Sequence, residues 1–152
     1  MVPQRIERDI LIEAPVEIVW AVVTEPEHIS GWFSERVELD LRPGGAAALY
    51  WDDYGTVNGR VERVEPPHFF SFRWVVPRTP DAPVTDGNST LVEFSLNPEG
   101  DATRLTVVES GFRDLDGSDD ENQGHVDSHR RGWVHELGEL KEYAEQGMPA
   151  GR

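Results

Sequence analysis

The chain has 152 residues, no cysteine, and a formal net charge of −15 from 14 Lys and Arg against 29 Asp and Glu. This length suits one domain with its own core, and the absence of cysteine excludes disulfides and thiolate chemistry. The charge argues against nucleic acid and anionic membranes as partners, because both are bound through clustered cations. Residues 18–23, the longest apolar run, are too few to cross a bilayer, and the first residues do not resemble a secretory signal. We therefore expect a cytoplasmic protein.

The first part of the chain predicts a strand followed by two short helices. Residues 5–13 alternate between apolar and polar side chains, as in a strand with one buried face. Pro15 ends this strand and suits the first turn of a helix over residues 16–24. Pro26 ends that helix in turn. Residues 27–33 are predicted to form a second short turn or helix.

The middle of the chain predicts an antiparallel sheet, because alternating runs are separated by hairpin turn signals such as Gly44-Gly45. The predicted strands cover residues 46–51, 56–65, 68–76, 90–97 and 102–110. Within the second of these, Val64 is displaced by one position, which indicates a bulge. Residues 77–88 contain three prolines and are predicted to form a long hairpin loop.

The last part of the chain predicts one long amphipathic helix over residues 126–146, about 30 Å long, after an acidic loop at 114–123. The predicted order is a strand, two short helices, about six strands and the long helix. This order indicates an α+β fold in which a curved antiparallel sheet wraps around the C-terminal helix. We expect a single domain over residues 5–146 and a short tail over residues 147–152.

Polar side chains on two otherwise apolar faces form the candidate site. Glu109 shares its strand face with Leu105 and Val107, where a carboxylate would have a raised pKa unless it is paired. His129 and Arg130 lie on the helix that should cover this face, and either can pair with Glu109. The alternatives are a rim position or a structural ion pair for Glu109, and an Arg130 that reaches to the cavity mouth.

The aromatic residues exceed what a small core needs, which favours a cavity for a flat hydrophobic ligand. Ordinary core packing is the alternative for each of them. Besides the three polar groups above, the predicted cavity residues are Trp32, Phe33, Trp51, Phe72, Trp74, Phe112, Trp133 and Leu137. Gly132 lies beside Trp133 inside the helix, where glycine costs about 1 kcal/mol against alanine. A close approach of the helix to the sheet or to a ligand would explain it.

No metal site and no cofactor are predicted. His125 and His129 are four residues apart and would share a helix face, but two imidazoles alone do not make a site, and the H-E-x-x-H pattern is absent. The acidic segment at 114–125 lacks the glycine and the glutamate that an EF-hand needs at its sixth and twelfth positions. We expect this segment to be a solvated loop.

Short segments spread over residues 5–146 carry a resemblance to a known family. They are Ile10-Leu11-Ile12-x-Ala14-Pro15-x-x-x-Val19-Trp20, Trp32-Phe33, Asp40-Leu41-Arg42-Pro43-Gly44-Gly45, Gly59-x-Val61-x-x-Val64-x-Pro66-Pro67, Phe72-x-Trp74, Thr103-Arg104-Leu105-Thr106, Glu109-Ser110-Gly111-Phe112 and Gly132-Trp133-x-x-x-Leu137-x-x-Leu140. In this order and spacing they resemble the START-like (SRPBCC) superfamily, in the branch named for the activator of heat-shock-protein-90 ATPase homologue, C-terminal-domain type. The resemblance implies a helix-grip fold with a cavity between sheet and helix, and it does not fix an activity.

The superfamily that the chain resembles includes lipid carriers, plant allergens that bind small aromatic molecules, polyketide cyclases and co-chaperone domains. We expect a binding module for a small apolar or aromatic molecule rather than an enzyme. One alternative is an enzyme of the cyclase or dehydratase type, with Glu109 as general acid or base. Another is a co-chaperone-like interaction module, although the chain leaves no room for the N-terminal domain through which the eukaryotic co-chaperone contacts the chaperone. An exposed edge strand would also permit a homodimer.

Overall fold

In the computed structural model, which describes residues 2–76 and 79–147, one strand and two short helices precede six further strands and a long helix. The strands are β1 (Arg5–Ile12), β2 (Arg36–Leu39), β3 (Ala46–Trp51), β4 (Gly55–Glu65), β5 (Phe69–Val75), β6 (Ser89–Glu99) and β7 (Ala102–Ser110). The helices are α1 (Val16–Thr24), α2 (Pro26–Ile29) and α3 (Asp119–Glu145), and one 3₁₀ turn (Phe112–Asp114) follows β7. Residues 77 and 78 of the predicted loop and residues 148–152 of the predicted tail lie outside the described residues.

The seven strands of the described chain form one antiparallel sheet in the order β1-β7-β6-β5-β4-β3-β2. Strands that follow one another from β2 to β7 are hydrogen-bonded neighbours, so hairpins build most of the sheet. The exception is β1, which pairs with β7 and places Ile6 opposite Glu109. The register of β4 and β5 shifts between Val61 and Arg63, which confirms the predicted bulge. The α+β helix-grip fold is thereby confirmed.

One face of the sheet and one stripe of α3 form the core. Along β6 the buried side chains are every second residue, including Val92, Phe94 and Leu96. Trp133 and Leu137 of α3 lie in the same buried cluster. Burying an aliphatic or aromatic side chain of this size contributes about 1.5–3 kcal/mol, so this packing holds α3 against the sheet.

Strand β2 was not delineated by the sequence pattern. It has four residues, and Val37 and Leu39 alone alternate with polar neighbours. That is too short a run for a reliable period-2 signal. The strand forms because β3 pairs with it, Val37 lying opposite Leu49.

Helix α3 begins seven residues earlier than predicted, and the prediction of a solvated loop through residue 123 is wrong. The Ser118 hydroxyl accepts a hydrogen bond from the backbone N–H of Glu121, and the Glu121 carboxylate accepts one from the backbone N–H of Ser118. This capping box starts the helix. Asp119 and Asp120 add favourable negative charge to its first turn. The helix has 27 residues and is about 40 Å long.

Within residues 2–76 and 79–147, none of the helices has the length and apolar character needed to span a membrane.

Candidate functional site

Glu109 is a charged residue in the middle of the core face of the sheet. It continues the inward row of β7 after Leu105 and Val107, and its neighbours across the strands are Ile6 and Val92. Its side chain is 0% exposed. An ionised carboxylate in such a place is costly unless it is paired and hydrogen-bonded.

Four groups contact the Glu109 carboxylate. The indole N–H of Trp74 in β5 and the hydroxyl of Thr90 in β6 donate to Oε2 at 2.9 and 2.6 Å. The indole N–H of Trp133 in α3 donates to Oε1 at 2.9 Å. Nδ1 of His129, also in α3, lies 2.8 Å from Oε1 and 2.9 Å from Oε2. One carboxylate therefore joins three adjacent strands to the long helix.

These contacts keep Glu109 ionised. An indole N–H can only donate, and an ionised carboxylate has acceptor sites for about four donors. Burial alone would raise the pKa of Glu109. The charge of His129 and the hydrogen bonds from His129, Thr90 and Trp74 outweigh burial, so the pKa of Glu109 lies below its ordinary value.

The carboxylate also fixes the tautomer of His129. Because Nδ1 faces an acceptor, Nδ1 carries the proton in the neutral form of the ring, and Nε2 is then the ring nitrogen left for another partner. The ring is 11% exposed and meets Trp74 and Phe112 edge-on, with centroids 5.8 and 5.6 Å apart. A carboxylate that orients an imidazole in this way prepares Nε2 to accept a hydrogen bond or a proton.

Phe33 lies at the centre of an aromatic cluster beside this pair. Its ring stacks on Trp32, Trp74 and Trp133 with centroid distances of 4.9, 5.6 and 5.9 Å. Trp51 meets it edge-on at 5.4 Å, and the Trp51 indole donates to the Phe33 carbonyl at 3.1 Å. Each such aromatic pair contributes about 0.5–1.5 kcal/mol beyond burial, so Phe33 is held in place from several sides.

Phe33 separates two small cavities. The first, which we call the tryptophan niche, has a volume of about 60 Å³. Its principal walls are Phe33, Trp51, Trp74, His129, Gly132 and Trp133. The second, the apolar cavity, has a volume of about 30 Å³, and its walls include Trp32, Phe33, Leu49, Phe70, Phe72 and Phe94. Both are far below the roughly 300–1,000 Å³ of typical ligand pockets.

The structure distributes the predicted cavity residues over three places. The walls of the tryptophan niche contain Phe33, Trp51, Trp74, His129 and Trp133. The walls of the apolar cavity contain Trp32 and Phe72, as well as Phe33. Phe112 and Leu137 are buried in the core. Glu109 lies behind the niche, with Trp74, His129 and Trp133 between its carboxylate and the cavity space.

Of the two residues predicted as possible partners of Glu109, Arg130 does not contact the carboxylate. Its side chain is 40% exposed, and its guanidinium lies 3.9 Å from the Asp127 carboxylate. Arg130 and His129 are on opposite flanks of the buried stripe of α3, and the His129 flank faces β7. The pairing with Glu109 therefore belongs to His129.

Gly132 does not mark a close approach of α3 to the sheet. A Cβ built at Gly132 would have no heavy atom of the described residues within 4 Å, apart from its own helix backbone and chain neighbours. Of the two explanations offered for this glycine, a close approach to the sheet is wrong; the glycine borders the tryptophan niche, and a close approach to a ligand stays a prediction. Its small size leaves that space open.

Three residues of the site were missed from the sequence. Thr90 donates to Glu109, and Ser128 and Glu136 line the niche. The available signal for Thr90 was a polar residue in the inward row of β6, two positions before Val92. Glu136 follows Trp133 by three residues and so shares its side of the helix.

A model of the family described as activator of Hsp90 ATPase homolog 1-like protein matches residues 13–145. Among curated proteins, none matches the sequence. The solved structure of DynU16, a protein of the dynemicin biosynthetic locus, is 25% identical with a TM-score of 0.77; the match covers 97% of this chain and 49% of DynU16. The chain thus spans about half the length of that relative.

Two further solved structures have the same fold. CalU16 from Micromonospora echinospora is 27% identical with a TM-score of 0.70, over 95% of this chain and 78% of CalU16. The Aha1 dimer from Colwellia psychrerythraea is 18% identical with a TM-score of 0.75, over 97% of this chain and 98% of that one. At 18% identity the likeness shows the fold alone.

Proposed function

Because the chain belongs to the family of activator of Hsp90 ATPase homolog 1-like proteins, we propose that it binds a small, flat apolar or aromatic molecule between the sheet and α3. The fold relatives of this family include polyketide cyclases and ligand-binding proteins. The observation that carries this proposal is the tryptophan niche with His129 in its wall and the Glu109 carboxylate behind that histidine. Aromatic walls with a few polar groups are the usual composition of such sites.

Ligand entry requires Phe33 to move. Both cavities border its ring, so displacing that one side chain joins them and adds the volume of the ring itself. Phe33 lies between α2 and β2, outside regular secondary structure, and is partly exposed. A flat ligand that replaces the ring beside Trp74 and Trp133 would restore the stacking that Phe33 gives up.

The charges of the site disfavour an anionic ligand. The Glu109 carboxylate is occupied by its four donors, and the chain carries a net charge of −15, which repels anions. His129 Nε2 is one of the polar groups in the niche wall, beside the side chains of Ser128 and Glu136. The ligand class is therefore a planar aromatic without negative charge, with a hydroxyl or amine as the group that reaches His129.

Filling the niche is expected to abolish this binding. N-phenyl-1-naphthylamine, a neutral aromatic fluorophore, should bind the wild type, and Gly132→Leu should weaken its affinity at least tenfold because leucine enters the niche. Gly138→Leu is the matched control, since Gly138 is an exposed glycine of the same helix. Both changes remove a helix glycine and gain up to about 1 kcal/mol of helix propensity. Fluorescence titration checks the affinities; equal weakening by both variants, or no binding by the wild type, would overturn the proposal.

A second candidate function, proton transfer on a bound aromatic carbonyl compound, is favoured by the fixed tautomer of His129. Glu109 is not suited to the predicted role of general acid or base, because it is fully buried and four donors hold it ionised. With Nδ1 held by Glu109, His129 Nε2 is the group placed to take a proton from a carbon next to a carbonyl. Glu109 is then a positioning residue.

Deuterium exchange tests this second candidate. The wild type is expected to accelerate exchange of the α-protons of benzoylacetone in D₂O, and His129→Gln should return the rate to that of buffer. Arg130→Gln, next to it on the exposed flank, should leave the rate unchanged. Proton NMR measures the rate. A wild type no faster than buffer, or a His129→Gln variant as fast as the wild type, rejects the enzyme.

The interaction-module alternative stays a prediction from the sequence. The Aha1 of Colwellia psychrerythraea is a dimer, which is a property of that protein. The homodimer, the cytoplasmic location and the lack of a nucleic-acid partner likewise stay predictions.

A further inference from the structure

A separate cluster of polar side chains lies where α1 meets α2. Glu25 stands between the two helices, and Glu27 and His28 belong to α2. One ligand atom from each of the three residues lies within 4.8 Å of the others. His28 Nε2 is 3.7 Å from Glu25 Oε1 and 3.9 Å from Glu27 Oε1. Both separations exceed hydrogen-bond length.

The burial of His28 sets this cluster apart from an ordinary group of surface acids. Its side chain is 7% exposed, whereas those of Glu25 and Glu27 are 50% and 64% exposed. Nδ1 is hydrogen-bonded to the Tyr143 hydroxyl at 3.0 Å. Among the described residues, Nε2 has no hydrogen-bond partner. A buried imidazole nitrogen is therefore aimed at two carboxylates without bonding to either.

The contact with Tyr143 fixes the direction of Nε2. Gly31 allows this contact, because a Cβ at that position would lie 2.2 Å from Cε1 of the Tyr143 ring. The end of α3 thus packs directly against the segment after α2, and its tyrosine orients His28. A hydrogen bond from an outer partner to the second ring nitrogen is the usual support of a metal-binding histidine.

We propose that Glu25, Glu27 and His28 bind a zinc ion. Zn–N distances of about 2.0–2.1 Å and Zn–O distances of about 2.0–2.2 Å place the donors of a tetrahedral site roughly 3.4 Å apart. The observed 3.7 and 3.9 Å need to shorten by a few tenths of an ångström, and the two exposed carboxylates are free to make that adjustment. The fourth position is left for water.

The charges and the donor types agree with this ion. Two carboxylates balance the charge of one divalent cation, and the net charge of −15 draws cations to the surface. One imidazole and two carboxylates suit zinc and manganese, and zinc binds more tightly in the Irving–Williams order. The two histidines that the helical spacing brings together, His125 and His129, lie outside this cluster.

Calorimetric titration with zinc chloride tests the site. The wild type is expected to bind one Zn²⁺ per chain, and Glu27→Gln should weaken the affinity at least tenfold, with Glu25→Gln as a second ligand variant. Glu17→Gln, an exposed carboxylate of α1 outside the cluster, is the matched control and should bind as the wild type does. The glutamates are exposed, so these variants leave the core unchanged.

Cobalt supplies a readout that is specific to the ligands. Co²⁺-loaded wild type is expected to show the visible absorption of a four-coordinate ion, and Glu27→Gln should lose it. Tyr143→Phe, which removes the partner of Nδ1, should weaken binding by about 10-fold to 100-fold. The absence of stoichiometric binding, or equal affinity in the wild type and in both glutamate variants, overturns the proposal. Neither result depends on ligand binding in the tryptophan niche.

Discussion

Replacing Glu109 by leucine is expected to lower the free energy of unfolding by about 3–5 kcal/mol, the usual effect of removing one partner of a buried charged network. The substitution leaves the indole N–H of Trp133 buried without its acceptor, and it leaves the indole N–H of Trp74 with the Thr90 hydroxyl, at 3.1 Å, as its remaining acceptor. An unsatisfied buried donor costs about 1–3 kcal/mol. Because leucine is of similar size, the loss reports on unpaired polar groups rather than on a cavity. Urea denaturation followed by circular dichroism measures it.

The matched control is Glu93→Leu. Glu93 is a partly buried residue of the neighbouring strand β6, on the face of the sheet opposite to Glu109. A substitution there is expected to change the free energy of unfolding by at most about 0.5 kcal/mol. If Glu109→Leu were as harmless as Glu93→Leu, the four contacts of the carboxylate would not stabilise the fold.

Glu109→Leu is also expected to change how the free energy of unfolding depends on pH. The pKa of Glu109 is lowered in the folded protein, so its stabilisation is complete above the ordinary pKa of glutamate and is lost as the pH falls through the lower folded value. The wild type should therefore lose more stability than Glu109→Leu on acidification below the ordinary glutamate pKa. The pKa values of Glu121 and Glu145 are lowered as well, and these residues remain in both proteins. The difference between the two proteins isolates Glu109.

Gly45→Ala is expected to lower the free energy of unfolding by about 3 kcal/mol, at the upper end of the usual range for overpacking. A Cβ at Gly45 would lie 2.0 Å from the carbonyl oxygen of Asp40 and 3.0 Å from that of Arg42. Both atoms are backbone, so relief requires the turn itself to move. The Gly45 carbonyl accepts a hydrogen bond from Val61 at 2.8 Å, and that bond would be displaced too.

The adjacent glycine supplies the comparison. Gly44 has a φ of +83°, but a Cβ there would meet nothing within 4 Å in the described part of the chain. Gly44→Ala therefore carries the left-handed backbone penalty alone, about 1–2 kcal/mol. Urea denaturation of the two variants shows which of them loses more of the free energy of unfolding. A smaller loss for Gly45→Ala than for Gly44→Ala would show that the turn relaxes without strain.

The Glu109 site shows which parts of the structure follow from periodicity. Alternation in β7 placed Glu109 on the core face, and the helical period placed residues 129 and 130 near it. Which of the two meets the carboxylate depends on the rotation of α3 about its own axis. That rotation is set by the packing of Trp133 against the sheet, a tertiary contact that no local pattern contains.

Two other features, the start of α3 and the size of the cavities, differ in whether local sequence determines them. The start of α3 could be predicted from the sequence, because Ser118 and Glu121 have the spacing of a capping box. The acidic composition around these two residues favoured a loop instead. The size of the cavities could not be predicted from the sequence. It depends on the ring position of Phe33, which four other aromatic side chains determine together.

The pairing of β1 with β7 determines when the site can form during synthesis. Arg5 lies opposite Ser110, about a hundred residues later in the chain. At roughly 5–20 residues per second, β1 waits about 5–20 s for its partner to leave the ribosome, with Ile6 and Ile12 uncovered. Loop closure over such a separation slows folding as well. Glu109 is flanked by this first strand and covered by the last helix, so its carboxylate leaves water only after nearly the whole chain has been made.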